Sequence, residues 1–199
     1  MKETVGIPQR YERCTLDNFE PLNLSQVRAL GEARKFVERY PCITRGLIFA
    51  GETGTGKTHL AAAMLRELAG RVPEDLLFVN FESIQSCQGG SPLHDCPRLQ
   101  QVSLLVLDNF GIGTPTAETL RSVEQLLEAR LHGRRLTILT GAPVRCRDLF
   151  RGRTSLDASP TQLFLSALDP ALLMKLLSAV RVISVTGDDY RRSHHPLFP

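Results

Sequence analysis

Gly51-Glu52-Thr53-Gly54-Thr55-Gly56-Lys57-Thr58 is the stretch that decides the fold. It matches the pattern G-x-x-x-x-G-K-[ST] in full. It follows a short apolar run, Gly46 to Ala50, and opens a helical pattern carrying Leu60, Met64, Leu65 and Leu68. Strand, glycine-rich turn and helix form the context that phosphate binding requires. The glycines let successive backbone N–H groups converge on an anion, and the positive end of the helix faces the same point. The pattern predicts a cradle in which Gly51, Thr53, Gly54, Thr55 and Gly56 wrap the phosphates of ATP. Lys57 would reach the β- and γ-phosphates, and the Thr58 hydroxyl would ligate Mg²⁺. His59 comes next in the chain and is expected beside the nucleotide, packed on the helix rather than catalytic.

Outward from this loop, apolar runs alternate with helical patterns. Leu76 to Phe81, Leu104 to Leu107, Leu136 to Thr140 and Val180 to Val185 read as further strands. Between them lie a helix from about Pro115 to Leu131, with Thr114 as N-cap and Pro115 at its first position, and a helix opened by Asp169-Pro170. An earlier helix carries Val27, Leu30, Ala33, Phe36, Val37 and Tyr40, with Ser25 as its N-cap and Pro41 as its stop. Short, nearly all-apolar strands separated by helices predict a parallel sheet covered on both faces, a three-layer α/β domain.

The third apolar run ends in Asp108. A carboxylate at the C-terminal edge of such a sheet lies near the phosphate loop and can hold Mg²⁺ together with Thr58. Asp108 is thus a metal and catalytic candidate alongside Lys57. The next residue, Asn109, holds the place where many ATPases put an acidic residue; it can orient water but cannot take its proton.

Composition sets outer bounds. The 199 residues are 42% hydrophobic and 23% charged, which excludes a disordered chain. No run approaches the ~18 apolar residues of a membrane span, and the N-terminus shows no secretory signal. Five cysteines, an odd count, fit reduced thiols in the cytoplasm. Cys87, His94 and Cys96 have no zinc-site spacing, so no metal site of that kind is expected. The net charge of +3 is uneven: residues 1–133 carry 14 Lys+Arg against 16 Asp+Glu, and residues 134–199 carry 10 against 5. The basic C-terminal third, with Arg145, Arg147, Arg151 and Arg153 in one loop, is a candidate surface for nucleic acid or a neighbouring subunit.

Gly6-Ile7-Pro8-Gln9-Arg10-Tyr11 followed by Thr15-Leu16-Asp17-Asn18-Phe19 resembles the lead-in of DnaC-type replicative helicase loaders and IstB-type transposition proteins. The phosphate loop ending Lys57-Thr58-His59-Leu60, the run into Asp108, and the closing Thr186-Gly187-Asp188-Asp189-Tyr190-Arg191 resemble the same group. That resemblance implies an AAA+ core with strand order 5-1-4-3-2. It implies a lead-in over residues 1–23 packing near the adenine through Ile7 and Arg10, a core over 24–192 and a tail over 193–199. It also implies partners: a replicative helicase or a transposase, single-stranded DNA, and a homo-oligomer. The N-terminal helicase-binding domain and the C-terminal helical lid of relatives are not expected here.

Three departures from the family pattern predict weak hydrolysis. Asn109 replaces the acidic residue, Ala142 stands where a polar sensor Asn is expected, and Lys175 stands where an arginine finger is expected. Loss of such a finger costs on the order of 10³ to 10⁵ in rate. A small-molecule P-loop kinase is the alternative class; a GTPase is disfavoured because no N-K-x-D motif occurs.

Overall fold

The computed structural model describes residues 6–73, 75–82, 97–113, 116–150 and 157–190. Five strands, β1 (Gly46–Ala50), β2 (Leu76–Asn80), β3 (Leu104–Asp108), β4 (Leu136–Gly141) and β5 (Val180–Ser184), form one parallel sheet in the order β2-β3-β4-β1-β5. This is the expected order, 5-1-4-3-2. Every residue of β1 and β3 is buried, which is why both read as unbroken apolar runs. β5 is an edge strand and reads differently: Arg181 points out and pairs with Glu32 at 2.5 Å.

The described helices are α1 (Leu24–Arg39), α2 (Lys57–Ala69), α3 (Pro97–Gln101), α4 (Ala117–His132), α5 (Cys146–Phe150), α6 (Pro160–Ala167) and α7 (Pro170–Ala179). α1, α2 and the lead-in cover one face, burying Ile7, Leu16, Phe19, Phe36, Leu60 and Met64 against Phe49, Phe78 and Val106. α4, α6 and α7 cover the other, burying Val123, Leu127, Leu165 and Leu172 against Ile48, Leu105 and Leu139. On that second face Phe81, Phe110 and Phe164 pack with ring centroids 4.9 to 5.3 Å apart. Adjacent strand residues alternate between the two cores, as Leu47 and Ile48 do.

Two helix starts differ from expectation. α1 is capped by Asn23, not Ser25: the Asn23 Oδ1 accepts from the Ser25 and Gln26 amides at 2.9 and 3.1 Å. The Ser25 hydroxyl instead turns to the closing segment. α4 starts at Ala117, where the Thr116 hydroxyl accepts from the Thr119 amide at 3.1 Å. Thr116 therefore does the capping assigned to Thr114, which lies with Pro115 outside the described residues. α6 adds a helix to those the sequence predicts. Ser159 caps it, accepting from the Gln162 amide at 3.1 Å, and Pro160 occupies its first turn.

Candidate nucleotide-binding site

The phosphate loop leaves β1 between its two neighbours: the Gly51 amide donates to Gly141 on one side, and Val185 donates to Ala50 on the other. Gly54 and Gly56 have φ of +82° and +94°, a region that L side chains avoid. A Cβ on Gly54 would overlap the Asp189 carboxyl, and one on Gly56 would overlap the Phe19 ring. The loop needs glycine here for its turn and because the lead-in and the closing segment press directly on it.

Gly56 caps α2, so Lys57 and Thr58 open that helix. The Thr55 hydroxyl donates to the Glu52 carbonyl at 2.9 Å, and the Lys57 ammonium folds over the loop to the Glu52 carbonyl and the Thr55 hydroxyl. Thr53 is exposed at the crest. The Thr58 hydroxyl donates to Asp108 Oδ1 at 2.7 Å, and Thr140 donates to the same oxygen at 2.5 Å. Asp108 is 1% exposed. Burial pushes its carboxyl above the ordinary range, opposed by the two hydroxyls and by the positive charges of Arg10 and Lys57.

Asn109 has φ +59°, a left-handed conformation that asparagine tolerates better than most residues. Its amide donates to Thr140 Oγ1 at 3.0 Å. Thr140 thus ties the ends of β3 and β4 together, a role not seen in the sequence. Ala142 presents only a methyl, and its amide donates to Thr161 Oγ1 at 2.8 Å. The Thr161 hydroxyl in turn donates to the Phe110 carbonyl at 2.7 Å.

His59 packs against the lead-in. Its Nε2 lies 3.0 Å from the Thr15 carbonyl and its ring meets Phe19 edge-on at 5.3 Å. Burial pulls its pKa down, with the Thr15 carbonyl opposing. Gln26, 1% exposed, accepts from the Leu22 amide and reaches the Thr55 carbonyl at 3.5 Å. Thr186 bonds Asn23 and Ser25, and the Tyr190 amide donates to the Gly54 carbonyl at 3.0 Å. The start of α1 and the closing segment meet on the loop.

Ile7 is buried in the α2-side core, and neighbouring Gly6 abuts the Phe78 carbonyl of β2. Arg10 is exposed, stacked 4.8 Å over Tyr11 and within electrostatic reach of Asp108. Lys175 lies on the exposed side of α7, in a groove against Glu128 and His132 of α4. Arg145 and Arg147 are exposed. Arg151, Arg153, Arg191, Cys87, His94 and Cys96 lie outside the described residues. Among the described residues no three His, Cys, Asp or Glu side chains cluster to hold a metal, and no single helix is long and apolar enough to cross a membrane.

No family model matches the chain. Over 139 residues it is 31% identical to the replicative helicase loader DnaC of Escherichia coli K12, across 66% of this chain and 56% of the loader. The chain spans about half the length of the curated relatives it matches. The crystal structure of the DnaC helicase loader superposes with a TM-score of 0.67 at 23% identity, covering 89% of this chain and 99% of that one. The replication initiator DnaA bound to AMPPCP and single-stranded DNA gives 0.64 at 17%, covering 92% and 51%. At these identities the superpositions speak for the fold.

Sheet order, phosphate loop and superpositions define the fold: a three-layer α/β domain of the kind seen in AAA+ P-loop proteins. Within it, the chain is similar in sequence to the DnaC helicase loader over 139 residues.

Proposed function

We propose that the chain binds ATP·Mg²⁺ at this loop and, like the loaders it resembles, acts in DNA replication on a helicase and single-stranded DNA under nucleotide control. The observation that carries the reading is the Thr58–Asp108–Thr140 cluster beside Lys57 at the start of α2. Its donor set is all oxygen, which suits a hard cation such as Mg²⁺. Thr58 and Asp108 would hold the ion, and the loop amides with Lys57 would hold the phosphates. When bound, Mg²⁺ neutralises charge on the phosphate oxygens.

The chain's own residues favour binding over turnover. Asn109 can orient a water molecule but takes no proton, and Ala142 offers no side-chain polar group. Lys175 has a point charge in place of a guanidinium fork. A switch that holds ATP and releases it slowly fits such a site. The first matched relatives bear the name of helicase loaders, which favours a helicase over a transposase as partner. With that role the cytoplasm is the expected location.

The reading is tested by measuring ATP binding and hydrolysis side by side, with and without single-stranded DNA, together with capture of the purified replicative helicase. Binding of ATP with turnover well below one per minute, and helicase retention that depends on nucleotide, is the expected result. No retention of helicase or DNA in any nucleotide state would overturn it.

A further inference from the structure

The end of the sheet opposite the phosphate loop carries an unassigned feature. Arg130, on the last turn of α4, is 1% exposed. Its guanidinium donates to Thr137 Oγ1 at 2.9 Å, to the Leu99 and Val102 carbonyls at 2.7 and 3.0 Å, and to the Leu136 carbonyl. Every one of these acceptors is neutral. Among the described residues no carboxylate forms an ion pair with it. Burial and the neighbouring charge of Arg135 pull its pKa down to about 9.

Arg134 and Arg135 follow at once, in the turn that leaves α4. The negative end of the α4 dipole accounts for part of this charge. A helix terminus is equivalent to about half an elementary charge, against three guanidinium groups. Arg134 is exposed and Arg135 half-buried, so both charges reach the recess beside them.

Beside it opens an apolar recess of about 380 Å³. Ile43, Leu131 and Leu136 form its accessible apolar lining, above the buried Leu127 and Leu176, and Arg134 and Arg135 stand among its walls. A second recess of about 700 Å³, between α4 and α7, shares Leu131 and Ala179 with the first, so the two form one trough. Glu128, His132 and Lys175 line its far part. No Phe, Tyr or Trp lines either recess, so the trough has no platform on which nucleic-acid bases would stack.

We infer that this trough is a docking site for an acidic polypeptide segment, whose aliphatic side chains enter the leucine-lined recess while its carboxylates face Arg134 and Arg135. Charge complementarity selects the partner's sign, and the apolar floor selects leucine-like side chains. The site is separate from the nucleotide loop and stands whether or not ATP is hydrolysed.

The test uses a short fluorescein-labelled peptide alternating leucine with glutamate, a counterpart with lysine for glutamate, and a labelled oligothymidine. The variant is R134N/R135Q: Arg134 has φ +52°, and asparagine keeps the preference for that backbone while removing the charge. The acidic peptide is expected to bind the full chain saturably and to shift the methyl NMR signals of Ile43, Leu131 and Leu136. The variant should weaken it by about tenfold, with the signals of the folded protein otherwise kept. Equal binding of acidic and basic peptides, unchanged binding to the variant, or displacement of the acidic peptide by oligothymidine would overturn the inference.

Discussion

Asp108 and Arg130 are both 1% exposed, at opposite ends of the same sheet, and they are held in different ways. Asp108 is gripped by two side-chain hydroxyls, those of Thr58 and Thr140. Hydroxyls rotate, so their hydrogen bonds can be exchanged for a metal ion at little structural cost. Arg130 is gripped mainly by backbone carbonyls of two segments, Leu99 with Val102 and Leu136. Those acceptors cannot turn away without moving the chain. The first arrangement suits a site that changes occupants, and the second suits a fixed joint that radiates charge toward its surroundings.

The largest expected effect comes from breaking the fixed joint. Arg130→Ala removes the donor from two buried carbonyls and a half-buried one and empties a large buried volume, and should cost about 3 kcal/mol of stability in urea unfolding. Asp108→Asn should act in the opposite direction on stability. Because burial raises the folded pKa of Asp108, its charged form destabilises the native state at neutral pH, and that cost grows as pH rises from about 3.8 through the folded value. The variant should therefore melt higher at pH 7 while its Mg²⁺-dependent gain in ATP affinity falls by about tenfold or more. A drop in melting temperature would show that Asp108 is a structural joint like Arg130.

A smaller effect is expected at Asn109. Asn109→Glu restores an acidic residue but places it at φ +59°, at a cost of about 1 kcal/mol, and turnover should rise by no more than about threefold while Ala142 and Lys175 remain. The smallest is at His59. Its folded pKa lies below 6.5, so its contribution to stability is complete above about pH 6.5 and is lost as pH falls below that value. His59→Gln should flatten the pH dependence of the melting temperature between pH 7 and pH 5.

The same contrast explains what could be read from sequence. The strands were legible because parallel strands buried on both faces leave continuous apolar runs, and the phosphate loop was legible because its requirements lie within eight consecutive residues. The partners of Asp108 come from fifty and thirty-two positions away. Thr161 reaches Phe110 across fifty-one. No local pattern marks such residues. Arg130 gave no signal either, since an arginine in the last turn of a helix ordinarily reads as a solvated complement to the dipole. α6 was missed although Ser159-Pro160 is a start signal, because the stretch before it reads as one arginine-rich loop.

The central claim is that the end of the sheet holding Asp108 is a nucleotide site. Calorimetric titration of ATP with Mg²⁺ into the wild-type chain and into Lys57→Ala tests it most directly. Saturable one-site binding to the wild type, weakened at least about a hundredfold by loss of the lysine charge, is the predicted result. Equal affinity in the two proteins, or no binding to the wild type, would contradict it.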